Sequence, residues 1–96
     1  MIRHIIFFRA AKSEDARAVR DGLRNLQSIP AADRLEVEFN CRMDTWSDEV
    51  DVVVYGEFAD EAALAAFKAH PTYEATIKVV KPLRDLRIAV DYQAPG

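Results

Sequence analysis

The chain has one cysteine, Cys41, so no disulfide can close within it. It has three glycines, too few and too scattered for a glycine-rich phosphate loop. The two histidines stand far apart, at positions 4 and 70, and neither an HxxxH nor a CxxC spacing occurs. Metal-ligand patterns are therefore missing, and no metal or other cofactor is expected. No apolar run approaches the roughly eighteen residues of a membrane span. An excess of positive charge is also lacking. The formal net charge is -3, with Lys and Arg interleaved among Asp and Glu. That balance argues against a nucleic-acid partner, which needs a basic stripe to displace counterions. The opening "MIRHIIFF" sets charge before apolar residues, but Arg9 interrupts too early for a signal peptide. A reducing, cytoplasmic location is expected, without membrane association.

What is present is enough for one domain over residues 1–96. A chain of this length buries only about two-thirds or less of its unfolded surface, so further burial by self-association stabilises it.

Residues 2–9, "IRHIIFFR", are β-branched and aromatic and predict a strand. His4, Ile6 and Phe8 share one face, Ile5 and Phe7 the other, and both faces need cover. "SEDARAVRDGLRNLQSIP" predicts a helix capped by Ser13, with Ala16, Val19, Leu23 and Leu26 as its apolar stripe and Pro30 as its end. Gly22 inside it suggests a close helix–sheet approach. "RLEVEFN" alternates as a half-exposed strand, a polar loop with Trp46 follows, and "VDVVVYGEF" is the most strand-like run. Asp60 caps a helix that buries Ala63, Leu64 and Phe67. The residue before a proline is pushed out of the α region, so His70 ends that helix and Pro71 starts the next. Tyr73, Ile77 and Val80 give the new helix its inward face, and "LRDLRIAVDY" is a last strand.

The order β-α-β-β-α-α-β is the ferredoxin-like arrangement, an α+β fold with a four-stranded antiparallel sheet and helices on one face. Ile5, Phe7, Val53, Tyr55, Ile88 and Val90 then line the face without helices. So large an apolar patch predicts a second copy packed sheet to sheet, a two-fold homodimer.

"MIRHIIFFR", "VVYGEFADEAALAAFKAHP", the helix after it and the terminal "VDY" together resemble the stress-responsive α/β-barrel (Dabb) family, over essentially the whole chain. The resemblance implies a dimeric α+β barrel. In polyketide cyclases of this type, which close a linear chain by aldol condensation, a histidine and a tyrosine near the helix break act together. The matching positions here are Tyr73 and Phe67, so that pair is absent, whereas His4 and the His70–Pro71 pair match the family.

The candidate site is the cleft between sheet and helices. His4 and Tyr73 are its candidate acid–base groups, because imidazole and phenol can pass protons to a carbonyl compound. Ile6, Phe8, Val54, Phe67, His70, Arg87 and Ala89 are its candidate lining residues. Each has a plainer reading. His4 can be a satisfied core histidine, His70 a helix cap, and Tyr73 core with a polar handle. Arg87 can be a solvated charge paired with Asp85 or Glu57, and Cys41 a small buried hydrophobe. Trp46 suggests a lid or a dimer contact.

The leading expectation is a binder of a small apolar or carbonyl-containing molecule, with cofactor-free cyclase-like or isomerase-like activity. A non-catalytic, stress-related dimeric binding module is the second reading. A monooxygenase-like barrel, either cofactor-free or haem-linked with His70 or His4 as the only possible haem ligands, is the third.

Overall fold

In the computed structural model, which describes residues 1–96, strand β1 runs Ile2–Ala10. Its even residues are buried and its odd ones half-buried, the period of two that alternating side chains impose. Strands β2 (Arg34–Phe39), β3 (Val52–Phe58) and β4 (Arg84–Gln93) complete one antiparallel sheet in the order β2-β3-β1-β4. Helices α1 (Ala16–Leu23), α2 (Glu61–Ala69) and α3 (Pro71–Val80) cover one face. This is the ferredoxin-like fold that the element order predicts. The core lies between sheet and helices, where Ile6, Val37, Val52, Val54 and Phe58 meet Val19, Leu23 and Phe67. None of the helices is long and apolar enough to cross a membrane.

Local signals act as their chemistry dictates around the helix break. The Asp60 carboxylate accepts from the Ala63 amide at 2.8 Å and starts α2. His70 is extended (φ -67, ψ 139) and ends α2, and Pro71 opens α3. His70 Nδ1 accepts from the Thr72 amide at 3.1 Å, so the imidazole caps α3.

Elsewhere the structure corrects the expectations. Ser13 makes no side-chain cap; a 3₁₀ turn at Ser13–Asp15 leads into α1, and another at Arg24–Ser28 follows it. Gly22 is there for a helix, not the sheet: a Cβ at this position would sit 3.1 Å from Val80 Cγ2 of α3. Thr76 takes the inward position on α3, while Ile77 is 40 % exposed. Positions 73, 76 and 80 lie on one helical face, which is the side of α3 set against the core, and Ile77 falls at its edge. Phe39 lies at the surface beneath the Arg20 guanidinium, 4.3 Å from the ring centroid. Cys41 is exposed, not buried, because the segment after β2 leaves the sheet at once.

The β1–β4 ladder contains one irregularity with consequences for the site. Phe8 pairs with Arg87 and Arg9 with Leu86, but Ala10 pairs with Arg84, so Asp85 is an extra residue. Such a bulge re-aims the side chains beside it. It puts Arg84 opposite Ala10, on the helix side of the sheet with Arg87. Asp85 turns to the other side, where Arg9 Nε donates to its carboxylate at 2.7 Å.

Candidate functional site

A cleft of about 230 Å³ opens between α3 and the β1–β4 side of the sheet. Ile6 and Phe8 of β1 form its floor, and Leu23 and Leu26 close the α1 side. Tyr73, Thr76, Ile77 and Val80 of α3 form its roof. Lys81, Arg84 and Arg87 stand at its rim, and no carboxylate lines it. The cleft persists because β4 lies at the sheet edge beyond the reach of the helices: Arg87 and Ala89, on its helix side, remain exposed. Pro82 lies in the 3₁₀ turn Lys81–Leu83 that carries the chain from α3 into β4.

A second polar constellation lies deeper. His4 faces the helices from β1, across from Gly56 on one side and Asp91 on the other. Its ring is fully buried, and Nδ1 is hydrogen-bonded to the Asp91 carboxylate. A carboxylate can only accept, so Nδ1 carries the proton. Nε2 is buried with no partner. In the neutral ring this nitrogen bears the lone pair. Gly56 makes room for what packs beside it, since a Cβ there would lie 2.8 Å from the Phe58 ring. Phe58 meets His4 edge to face with centroids 6.1 Å apart, and the series continues to Phe67 at 5.0 Å and Tyr73 at 5.4 Å.

The residues predicted for the site thus fall into three places. Ile6, Phe8, Tyr73 and Arg87 line the cleft. Val54 and Phe67 are fully buried in the core, and His4 lies behind the two phenylalanine rings that separate it from Tyr73. Ala89 is exposed on β4 beyond the cleft, and the Nδ1 atom of His70 is used as a helix cap. No hydrogen bond joins His4 to Tyr73. Arg87 pairs with neither suggested acid: Asp85 bonds Arg9, and Glu57 accepts from the Tyr55 hydroxyl at 2.6 Å on the open face.

Sequence reasoning missed Thr76, Lys81, Arg84 and Asp91. The run "KPLRDLR" does show three cations spaced three apart. On an unbroken strand Arg84 and Arg87 would face opposite ways, so the spacing becomes informative only once the bulge is seen. Neither histidine lines the cleft, so it offers no imidazole to a haem iron. No group of three His, Cys, Asp or Glu side chains is placed to hold a metal ion.

The open face of the sheet presents Ile5, Phe7, Val53 and Tyr55 half-buried, with Ile88 and Val90 about half exposed. Its polar border is organised. Arg3 Nη1 donates to the Tyr92 hydroxyl at 3.2 Å, which holds the guanidinium above its usual pKa. The Glu57 bond likewise raises the Tyr55 phenol above the ordinary tyrosine value.

Sheet order, helix placement and an apolar open face define a ferredoxin-like α+β domain of the barrel-forming type. Residues 2–94 match the stress responsive A/B barrel domain, and the chain belongs to this Dabb family. A Dabb family protein with a ferredoxin-like fold from Mesorhizobium loti is 24% identical, with 99% of this chain and 97% of that one covered at TM-score 0.79. A dimeric ferredoxin-like protein of unknown function from Thermobifida fusca is 23% identical over 97% of this chain and 90% of the other, at TM-score 0.80. An antibiotic biosynthesis monooxygenase shares 18% identity over the full length of both chains at TM-score 0.76. At these identities the likeness is one of fold. Comparison with proteins of curated function finds no match.

Proposed function

We propose that the chain is a homodimer joined through the open sheet face, and that each protomer binds a small apolar molecule in the cleft beneath α3. The observation that carries the binding reading is the cleft itself, about 230 Å³ of largely apolar space left open at the sheet edge. Binding sites have this character: concave, mostly apolar, with a few polar groups at the rim. For comparison, an engineered apolar cavity of about 150 Å³ already holds benzene. The dimer reading is supported by the exposed Ile88, Val90 and Tyr92 and by dimeric structural neighbours. Asn40, Asp44 and Ser47 of the loop between β2 and β3 border this face beside Phe7, Val53 and Ile88, and the same loop carries Met43 and Trp46, each about nine-tenths exposed.

The His4–Asp91 pair favours a second reading, in which the bound molecule is also transformed. With Nδ1–H held by Asp91, the free Nε2 is a base able to take a proton α to a carbonyl and return it to another carbon, an isomerisation without cofactor. Substrate would have to displace the Phe58–Phe67 rings to reach it, so binding is the primary reading.

A fragment screen by ¹H–¹⁵N NMR tests it. Small apolar compounds should shift the amides of Ile6, Tyr73, Thr76 and Val80, and a cleft-filling Thr76→Trp substitution should abolish those shifts. Shifts confined to the open face, or a binder indifferent to Thr76→Trp, would contradict the cleft as the site.

A further inference from the structure

We infer that the cleft takes an apolar carboxylate, its hydrocarbon body over Ile6 and Phe8 and its carboxylate held among Lys81, Arg84 and Arg87. The inference rests on the binding reading above and adds the chemical class of ligand.

Charge placement carries the argument. The chain has 16 acidic and 13 basic residues, yet the cleft is lined by three cations and no carboxylate. Of the ten other cations, Arg9, Arg20, Arg24, Arg34, Arg42 and Lys78 each form an ion pair, and the remaining four, Arg3, Lys12, Arg17 and Lys68, are scattered along the chain rather than gathered around one opening. None of the chain's ion pairs includes Lys81, Arg84 or Arg87. Three like charges around one opening repel each other, and an anion among them relieves that repulsion.

The bulge is the device that creates this rim. With Asp85 extruded, Arg84 shares the helix side with Arg87, and Asp85 is carried to the opposite face and neutralised by Arg9. A regular ladder would place Asp85 opposite Ala10, on the cleft side, beside Arg87. One extra residue thus removes an anion from the rim and adds a cation. The guanidinium fork suits a carboxylate, which it can hold by two parallel hydrogen bonds. The tail is bounded by the cleft: room for a single ring or a medium-length chain, against a floor without polar groups. Thr76, 97 % buried, and Tyr73 bring the two hydroxyls of the roof, beside the apolar Ile77 and Val80.

The test compares octanoate, octanol and octylammonium, which share a tail and differ in head charge, by ¹H–¹⁵N NMR titration of the full chain. Octanoate should shift Ile6, Thr76 and Arg87 and bind about ten-fold or more tightly than octanol, the gain of one charge-assisted contact. Octylammonium should bind more weakly than either. In the Arg84→Gln/Arg87→Gln variant octanoate should fall to the affinity of octanol, with octanol unchanged. If that variant does not fold, Arg87→Gln alone, at an exposed position, should still weaken octanoate selectively. Octanol or octylammonium binding as tightly as octanoate would overturn the inference and leave the cleft as a site. Octanoate binding indifferent to the substitutions would overturn it too. If none of the three compounds perturbs the cleft, the binding reading itself fails.

Discussion

His4 shows how much a single side chain owes to its neighbours across the sheet. Alternation along "IRHIIFF" is enough to turn it toward the helices, and the structure agrees. Its partner is not legible in the same way, because Asp91 lies 87 residues away and meets it only through the β1–β4 register. Gly56 is similar. Its lack of a side chain matters because the Phe58 ring needs the space, a contact that no local pattern encodes. A buried N–H without an acceptor is costly, so Asp91→Ala should lower stability. Asp91 is 43 % exposed and water can partly replace it, which sets the loss near the low end, about 1 kcal/mol. Urea denaturation measures this. Ligand affinity in the cleft should not change, since His4 does not line it. An unchanged midpoint would mean that the carboxylate does not hold the ring.

At the scale of elements, the break between α2 and α3 was written in the chain and the bulge in β4 was not. Asp60, His70 and Pro71 act through local backbone geometry, so "FADEAALAAFKAHP" marks both helix boundaries directly. A bulge is a mismatch between two strands, and neither strand alone reveals it. The ends of α1 were missed for a related reason: the 3₁₀ turns that frame it follow from how the connections pack, not from the apolar stripe. His70 belongs to this scale, as the cap of α3. His70→Ala should therefore cost about 1 kcal/mol, whereas His70→Asn, which restores a side-chain acceptor, should recover most of it. Both should bind cleft ligands normally once folded. A loss of binding in His70→Asn with stability intact would instead assign the imidazole a direct part in the site.

Across the whole molecule, the two faces of the sheet carry different duties under the proposed function. Seventeen of 96 residues are buried, and Ile88, Val90 and Tyr92 stay exposed on the open face, apolar area that the proposed second copy would cover. The open face is legible in the sequence, since Ile5, Phe7, Val53 and Tyr55 alternate with core residues of β1 and β3, and Ile88 and Val90 pair with Phe7 and Ile5 across the β1–β4 ladder. The cleft was legible only in part. Ile6, Phe8 and Tyr73 follow from periodicity, but the rim depends on the turn after α3 and on the bulge, both products of the assembled sheet. The division of labour between the faces is the central claim, and a crystal structure of the chain grown with octanoate tests it most directly. We expect two copies related by a two-fold axis, open face to open face, with Phe7, Ile88 and Val90 buried between them. Ligand density should lie between Phe8 and Thr76 in each copy, its carboxylate toward Arg87. Copies meeting across α3 and closing the cleft, or ligand seated on the open face, would contradict the account.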